Sequence, residues 1–162
     1  MNMMEITNLE ALLPHSPPMI VLDGVEDCDL DAGTLTARVK IKKDSIFYSA
    51  KMGGIPSCLA LEYMAQAIGC FVGYHDLKEN PNKTPGIGFI MGSRKLDVSV
   101  PVYKEGEDYL VKIKSLFSSD NIISFDCVIV NEKNETTATA IINAYRPDDI
   151  EDFMKEYAKS NG

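Results

Sequence analysis

With 162 residues, 45% of them hydrophobic and 25% charged, the chain is long enough to bury one core without staples. It reads as one globular domain over residues 1–162. Its net charge of −8 argues against nucleic acid as a partner, because that binding needs basic surface. The four cysteines, Cys28, Cys58, Cys70 and Cys127, form no CxxC pair, and two histidines offer no zinc spacing. No apolar run reaches the length of a membrane span, and the first residues lack the basic and apolar regions of a secretory signal. The sequence therefore predicts reduced thiols in a cytoplasmic protein, without metal, cofactor or membrane span.

Thr7-Asn8-Leu9-Glu10 has the form of a capping box and Pro14 is a stop, so a short helix is expected over residues 8–13. Residues 19–25 are apolar and β-rich, which predicts a strand. Residues 34–42 alternate, with Leu35, Ala37, Val39 and Ile41 on one face and Thr34, Thr36, Arg38, Lys40 and Lys42 on the other. That period of two marks a half-buried strand.

Pro56 suits a first helical position, and a long helix is expected from there to about residue 77. Its apolar residues go all the way round, which predicts burial on most sides. Within it stands a carboxylate, Glu62, in the second turn of an otherwise apolar helix. A buried carboxylate is unfavourable unless hydrogen-bonded, paired or protonated, and such positions suit an acid catalyst. Cys58, Glu62 and Gln66 are spaced i, i+4, i+8 and are expected to share a face, with Gln66 orienting Glu62. His75, near the helix end, is expected to have a dipole or solvent role.

Residues 80–86 read as a loop. Four strands follow, over residues 86–98, 108–117, 122–131 and 136–145, the last two joined by a turn at residues 131–134. A last amphipathic helix is expected over residues 147–157, with acids at its N-terminal end. Four strands in series without helices argue for an antiparallel sheet, hence an α+β fold in which about six strands wrap one long helix. Such a sheet leaves edges that dimerisation can cover.

The pattern resembles the hotdog-fold 3-hydroxyacyl-acyl-carrier-protein dehydratases over most of the chain. Leu12-Leu13-Pro14-His15-Ser16-Pro17-Pro18-Met19-Ile20-Val21-Leu22-Asp23 resembles the opening segment of that family. Pro56-Ser57-Cys58-Leu59-Ala60-Leu61-Glu62-Tyr63-Met64-Ala65-Gln66 resembles the start of its central helix, where the catalytic Asp or Glu lies. Gly92-Ser93-Arg94-Lys95-Leu96, Pro101-Val102 and Gly106-Glu107 resemble a later strand and turn. The subgroup most similar is the dehydratase-like proteins of aryl polyene lipid synthesis. One departure stands out: the loop that carries a His in these dehydratases reads Asp44-Ser45-Ile46-Phe47-Tyr48-Ser49-Ala50-Lys51-Met52 here, with no His.

The resemblance implies dehydration of 3-hydroxyacyl thioesters on an acyl carrier protein, through its phosphopantetheine-linked acyl group, to trans-2-enoyl thioesters. That chemistry needs a base for the C2 proton, an acid for the departing hydroxyl and donors for the thioester oxygen. Glu62 carries over as the acid. His15, of the opening segment, is the candidate base, since imidazole titrates in the right range. Ser57 and Cys58 occupy the place of the carbonyl-binding amides, the Cys58 thiol itself reading as a packing group. Tyr48, beside the missing His, is either a substitute donor or a packed aromatic. Carrier docking has two candidate faces, Arg38, Lys40 and Lys42 or Arg94 and Lys95. A homodimer, or a hetero-oligomer with another hotdog subunit, is expected. The alternatives are a hotdog acyl thioesterase and a non-catalytic hotdog subunit that pairs with an active dehydratase, the latter suggested by the absent loop His.

Overall fold

The computed structural model describes residues 8–14, 17–84 and 88–161. Its frame is a six-stranded antiparallel sheet in the order β1-β2-β6-β7-β8-β4. The strands are β1 (Gly24–Asp29), β2 (Thr34–Lys40), β4 (Phe89–Val98), β6 (Asp108–Ser119), β7 (Ile122–Val130) and β8 (Thr136–Tyr145). Helix α1 (Ala60–Glu79) lies across β2, β6, β7 and β8. This is the expected α+β arrangement, a sheet curled round one long helix.

Alternation builds the sheet. Leu35, Ala37 and Val39 of β2, Tyr109, Val111 and Ile113 of β6, and Phe125, Cys127 and Ile129 of β7 are all buried on the helix side. Lys112 and Lys114 point to solvent. The helix answers with Met64, Ala67, Ile68, Cys70 and Phe71, and Phe71 meets Phe125 edge-on with ring centroids 5.6 Å apart. A chain segment covers the opposite side of α1. A Cβ added at Gly69 would stand 2.7 Å from Leu13 Cδ2, and one at Gly73 would stand 2.4 Å from the Leu12 carbonyl oxygen. Sheet on one side and backbone on the other explain why the helix is apolar all round.

Several boundaries differ from expectation. Residues 19–23 form no strand, and β1 begins only at Gly24. The backbone groups of Met19 and Val21 bond to a side chain of α1 instead of a ladder, as described below. Pro56 is not the first helical residue. It has φ −54° and ψ 137° and ends a short strand, β3 (Gly54–Pro56), which pairs with β5 (Val102–Lys104) in a second sheet that the sequence pattern does not reveal. One 3-10 turn, Ser57–Leu59, then leads into α1. The first helix is likewise only a 3-10 turn, Leu9–Ala11, and Thr7 of the supposed capping box lies outside the described residues.

The remaining strands and the turn after β7 match the pattern to within a few residues. The Asn131 side chain accepts from the N–H groups of Lys133 and Glu135, holding that turn. The last helix, α2 (Ile150–Asn161), starts later than expected because Asp149 caps it, Oδ1 accepting from the Asp152 N–H at 3.0 Å. β1 and β4 are the two edges of the large sheet.

Candidate active site

Gln66 organises the site. It is completely buried, yet both its donors and its carbonyl oxygen have partners. Nε2 donates to Glu62 Oε1 at 2.9 Å and to the Met19 carbonyl at 2.8 Å, while Oε1 accepts the Val21 N–H at 2.9 Å. One amide thus fastens the opening segment to α1 and fixes the Glu62 carboxylate. The expected Glu62–Gln66 partnership is present. Glu62 itself is half-buried rather than buried, because its face of α1 borders a cavity instead of the sheet. It lies in the first turn of α1, not the second, since the helix begins at Ala60.

That cavity, of about 200 Å³, runs along α1 from Glu62 past Ala65, Gly69 and Val72 to Asp76. Spacings of three and four keep these positions on one face. Leu12, Leu13 and Pro14 form one wall, and Ile90, Ile123 and Ala144 add apolar surface from the sheet. Leu12 abuts Gly73 and Leu13 abuts Gly69, so the opening segment runs antiparallel to the helix, toward Glu62.

His15 and Ser16 lie outside the described residues. The flanking chain does not: Pro14 lines the cavity with Glu62, and Met19 bonds to Gln66.

Three expected site residues stand apart from Glu62. Cys58 precedes α1, in the 3-10 turn that leads into it, does not line the cavity, and is exposed rather than packed. The Ser57 N–H is already spent on the Pro101 carbonyl at 3.2 Å. Tyr48 is half-buried in the loop before β3, its N–H donating to the Ser45 carbonyl at 3.1 Å, and it does not line the cavity. His75 is exposed, 3.8 Å from Glu79, in keeping with a solvent role.

Sequence reasoning missed the far end of the cavity. There Arg146, just after β8, holds Asp76 through two hydrogen bonds, Nη1 to Oδ1 at 2.8 Å and Nη2 to Oδ2, and Lys83 Nζ reaches Oδ1 at 3.1 Å. Burial pushes the Asp76 carboxyl up, but the hydrogen bonds and charges of Arg146 and Lys83 outweigh it and hold the group below the usual carboxylate range. The available signal was an acid in the apolar helix, with Gly69 and Gly73 one turn apart before it. Its partner is 70 residues away in the chain.

Of the two cationic faces, the structure pairs two of the three members of one with carboxylates and leaves Lys40 exposed. Arg38 pairs with Glu26 at 3.3 Å and Lys42 with Asp23 at 2.7 Å. Arg94 and Lys95 are exposed on β4, and neither makes an ion pair among the described residues. Among those residues no group of His, Cys, Asp and Glu could hold a metal, and no helix is long and apolar enough to cross a membrane.

Known structures carry the same architecture. A chain of the ApeI:P dehydratase heterocomplex from Xenorhabdus doucetiae superposes with a TM-score of 0.79 at 26% identity, over 90% of this chain and 95% of that one. The PaaI protein of the E. coli phenylacetic acid degradation operon gives 0.58 at 11% identity, over 75% and 81%. A hypothetical thioesterase from Streptococcus pneumoniae, solved with coenzyme A, gives 0.57 at 15%, over 76% and 84%. At the last two identities the likeness is one of fold alone. The family profile described as ApeP dehydratase matches residues 7–155, nearly the whole chain including the opening segment, Glu62 and Gln66, and the protein belongs to this ApeP-like family.

Proposed function

We propose that this protein removes water from 3-hydroxyacyl thioesters on an acyl carrier protein to give trans-2-enoyl thioesters, in fatty acid or polyene-type lipid synthesis. The observation that carries this reading is a carboxylate, fixed by a buried amide, at one end of an apolar groove in a chain of the ApeP-like dehydratase family. In the proposed reaction a base takes the C2 proton and the C2–C3 double bond forms. Glu62 gives its proton to the C3 hydroxyl, which leaves as water. Gln66 donates to Oε1, so Oε2 is the oxygen that carries the proton to the substrate. His15 is the proposed base, supported by the flanking residues Pro14 and Met19, which lie beside Glu62 and Gln66. The Ser57 amide, bonded to the Pro101 carbonyl, is already occupied, so the proposed donor for the thioester oxygen is an amide of the turn that follows it, Cys58–Leu59, at the entrance to α1.

A second hotdog subunit is part of the proposal. β4 is an edge strand, exposed along residues 92–97, with Ile90 and Leu96 about half in solvent. A bare edge of this kind pairs readily with another chain. The similar X. doucetiae chain comes from a heterocomplex. The loop without His favours a second reading, a non-catalytic subunit of such a pair.

The deciding assay follows a carrier-linked 3-hydroxyacyl thioester at the enoyl absorbance. Turnover by the wild type, with loss of most of the rate in His15→Ala, is expected. An inert wild type across several chain lengths, with turnover restored only by a second hotdog subunit that keeps its own loop His, would favour the non-catalytic reading.

Arg94 and Lys95 are the proposed docking face for the acidic carrier. Because the β4 edge would join a second subunit through its backbone groups, Arg94→Glu/Lys95→Glu should leave that pairing and the turnover of short pantetheine thioesters unchanged and weaken carrier-linked turnover about tenfold, mainly through association. Equal loss on both substrates would count against docking there.

A further inference from the structure

The distal end of the Glu62 cavity borders another one. A larger, more open cavity of about 730 Å³ lies between the turn after β1, the β6–β7 hairpin and the end of β8. Four residues, Val72, Asp76, Ile123 and Arg146, line both. The Asp76–Arg146 pair, with Val72 and Ile123, therefore stands at the border between an apolar groove and a more polar vestibule. Asp76 lies 14 positions beyond Glu62, about 20 Å along the helix axis at 1.5 Å per residue.

The pair is held from several directions. Arg146 is anchored by its own N–H, which donates to the Asn121 carbonyl at 2.9 Å, and its guanidinium grips both oxygens of Asp76. Lys83 reaches Asp76 from the vestibule, which it lines, and does not line the apolar groove. A bidentate Arg–carboxylate pair has fixed geometry, unlike a flexible apolar plug. Asp76 is only 6% exposed at its side chain, so the pair resists opening.

We propose that the Asp76–Arg146 pair is the chain-length stop of the acyl groove: it ends the space for the acyl tail of the 3-hydroxyacyl thioester and bars longer tails from the vestibule. This rests on the reading of Glu62 as the site of dehydration. The tail lies along Ala65, Gly69 and Val72, and its end meets the side chains of this pair, which their mutual hydrogen bonds hold in place. A methylene that does not fit is discriminated against by about tenfold or more.

The test uses the full chain and 3-hydroxyacyl pantetheine thioesters of increasing tail length. For the wild type, kcat/KM is expected to rise with length and then break off. Arg146→Ala should raise kcat/KM beyond the break about tenfold and leave short tails within about twofold. Removing Arg146 alone leaves a buried carboxylate, so Asp76→Ala/Arg146→Ala, which removes both charges, is the parallel variant if the first does not fold. Asp76→Asn/Arg146→Gln keeps the wall without the charge and should retain the wild-type break. A length profile unchanged in the double alanine variant, or rates lowered equally at every length, would overturn the proposal and leave the pair a structural staple. Displacement of a fluorescent fatty acid by free fatty acids of graded length reads the same stop without catalysis. Wild type inert on every thioester would defeat the dehydration reading. A binding break that disappears in the double alanine variant would still support the stop, and its persistence there would defeat it.

Discussion

Glu62→Gln is expected to lower kcat for dehydration by about 10²–10⁴-fold, the usual worth of one positioned proton donor. The substitution isolates the proton. Gln at this position keeps the shape of the side chain and still offers an oxygen to Gln66 Nε2, so the bonds from Gln66 to Met19 and Val21 stay in place. Thermal stability should change by less than about 0.5 kcal/mol, as for a partly exposed isostere. Binding of the acyl tail should persist, because the groove beyond Ala65 is untouched. The measurement is enoyl formation from a carrier-linked substrate beside a melting curve. A variant that keeps more than a tenth of wild-type turnover would show that the carboxyl is not the acid.

Gly73→Ala is expected to destabilise the fold by about 1–2 kcal/mol and lower Tm by about 3–6 °C. Alanine in place of glycine ordinarily favours a helix by about 1 kcal/mol. Here the new Cβ would sit 2.4 Å from the Leu12 carbonyl oxygen and 2.9 Å from Leu12 Cα. Both are backbone atoms, so the whole segment must move away from α1. Leu12, Leu13 and Pro14 would then no longer wall the cavity, and turnover should fall with stability. Gly69→Ala is the control. It meets only the far end of the Leu13 side chain, at 2.7 Å, which can rotate aside, and its stability should stay within about 1 kcal/mol of wild type. Equal melting temperatures for Gly73→Ala and wild type would mean that the opening segment is not seated on the helix as described.

The sheet and the central helix were legible in the sequence because each strand of the core repeats its own local period. Leu35, Ala37 and Val39 declare their buried face without reference to any other part of the chain. The Glu62–Gln66 pair was legible for the same reason, being one helical turn apart. The apolar helix declared that it is covered on most sides but not by what: the covering backbone at Leu12 and Leu13 lies some 60 residues earlier. Where local and long-range bonding compete, the local reading failed. Residues 19–23 have strand composition, yet Met19 and Val21 bond to Gln66. Pro56 fits the start of a helix, yet pairs with Val102.

By itself, then, the sequence determined the periodic elements and the acid on the helix, which depend on residues within a turn or two of one another, and the family resemblance, which rests on short motifs each read locally. Only the tertiary structure decided which cationic face is partly paired with carboxylates, that Cys58 does not line the cavity, and that Asp76 and Arg146 meet at its far end. The physical reason is reach. An ion pair or a cavity wall joins groups whose separation along the chain carries no periodic mark, and it exists only once the sheet has curled round the helix and brought them within a few ångströms.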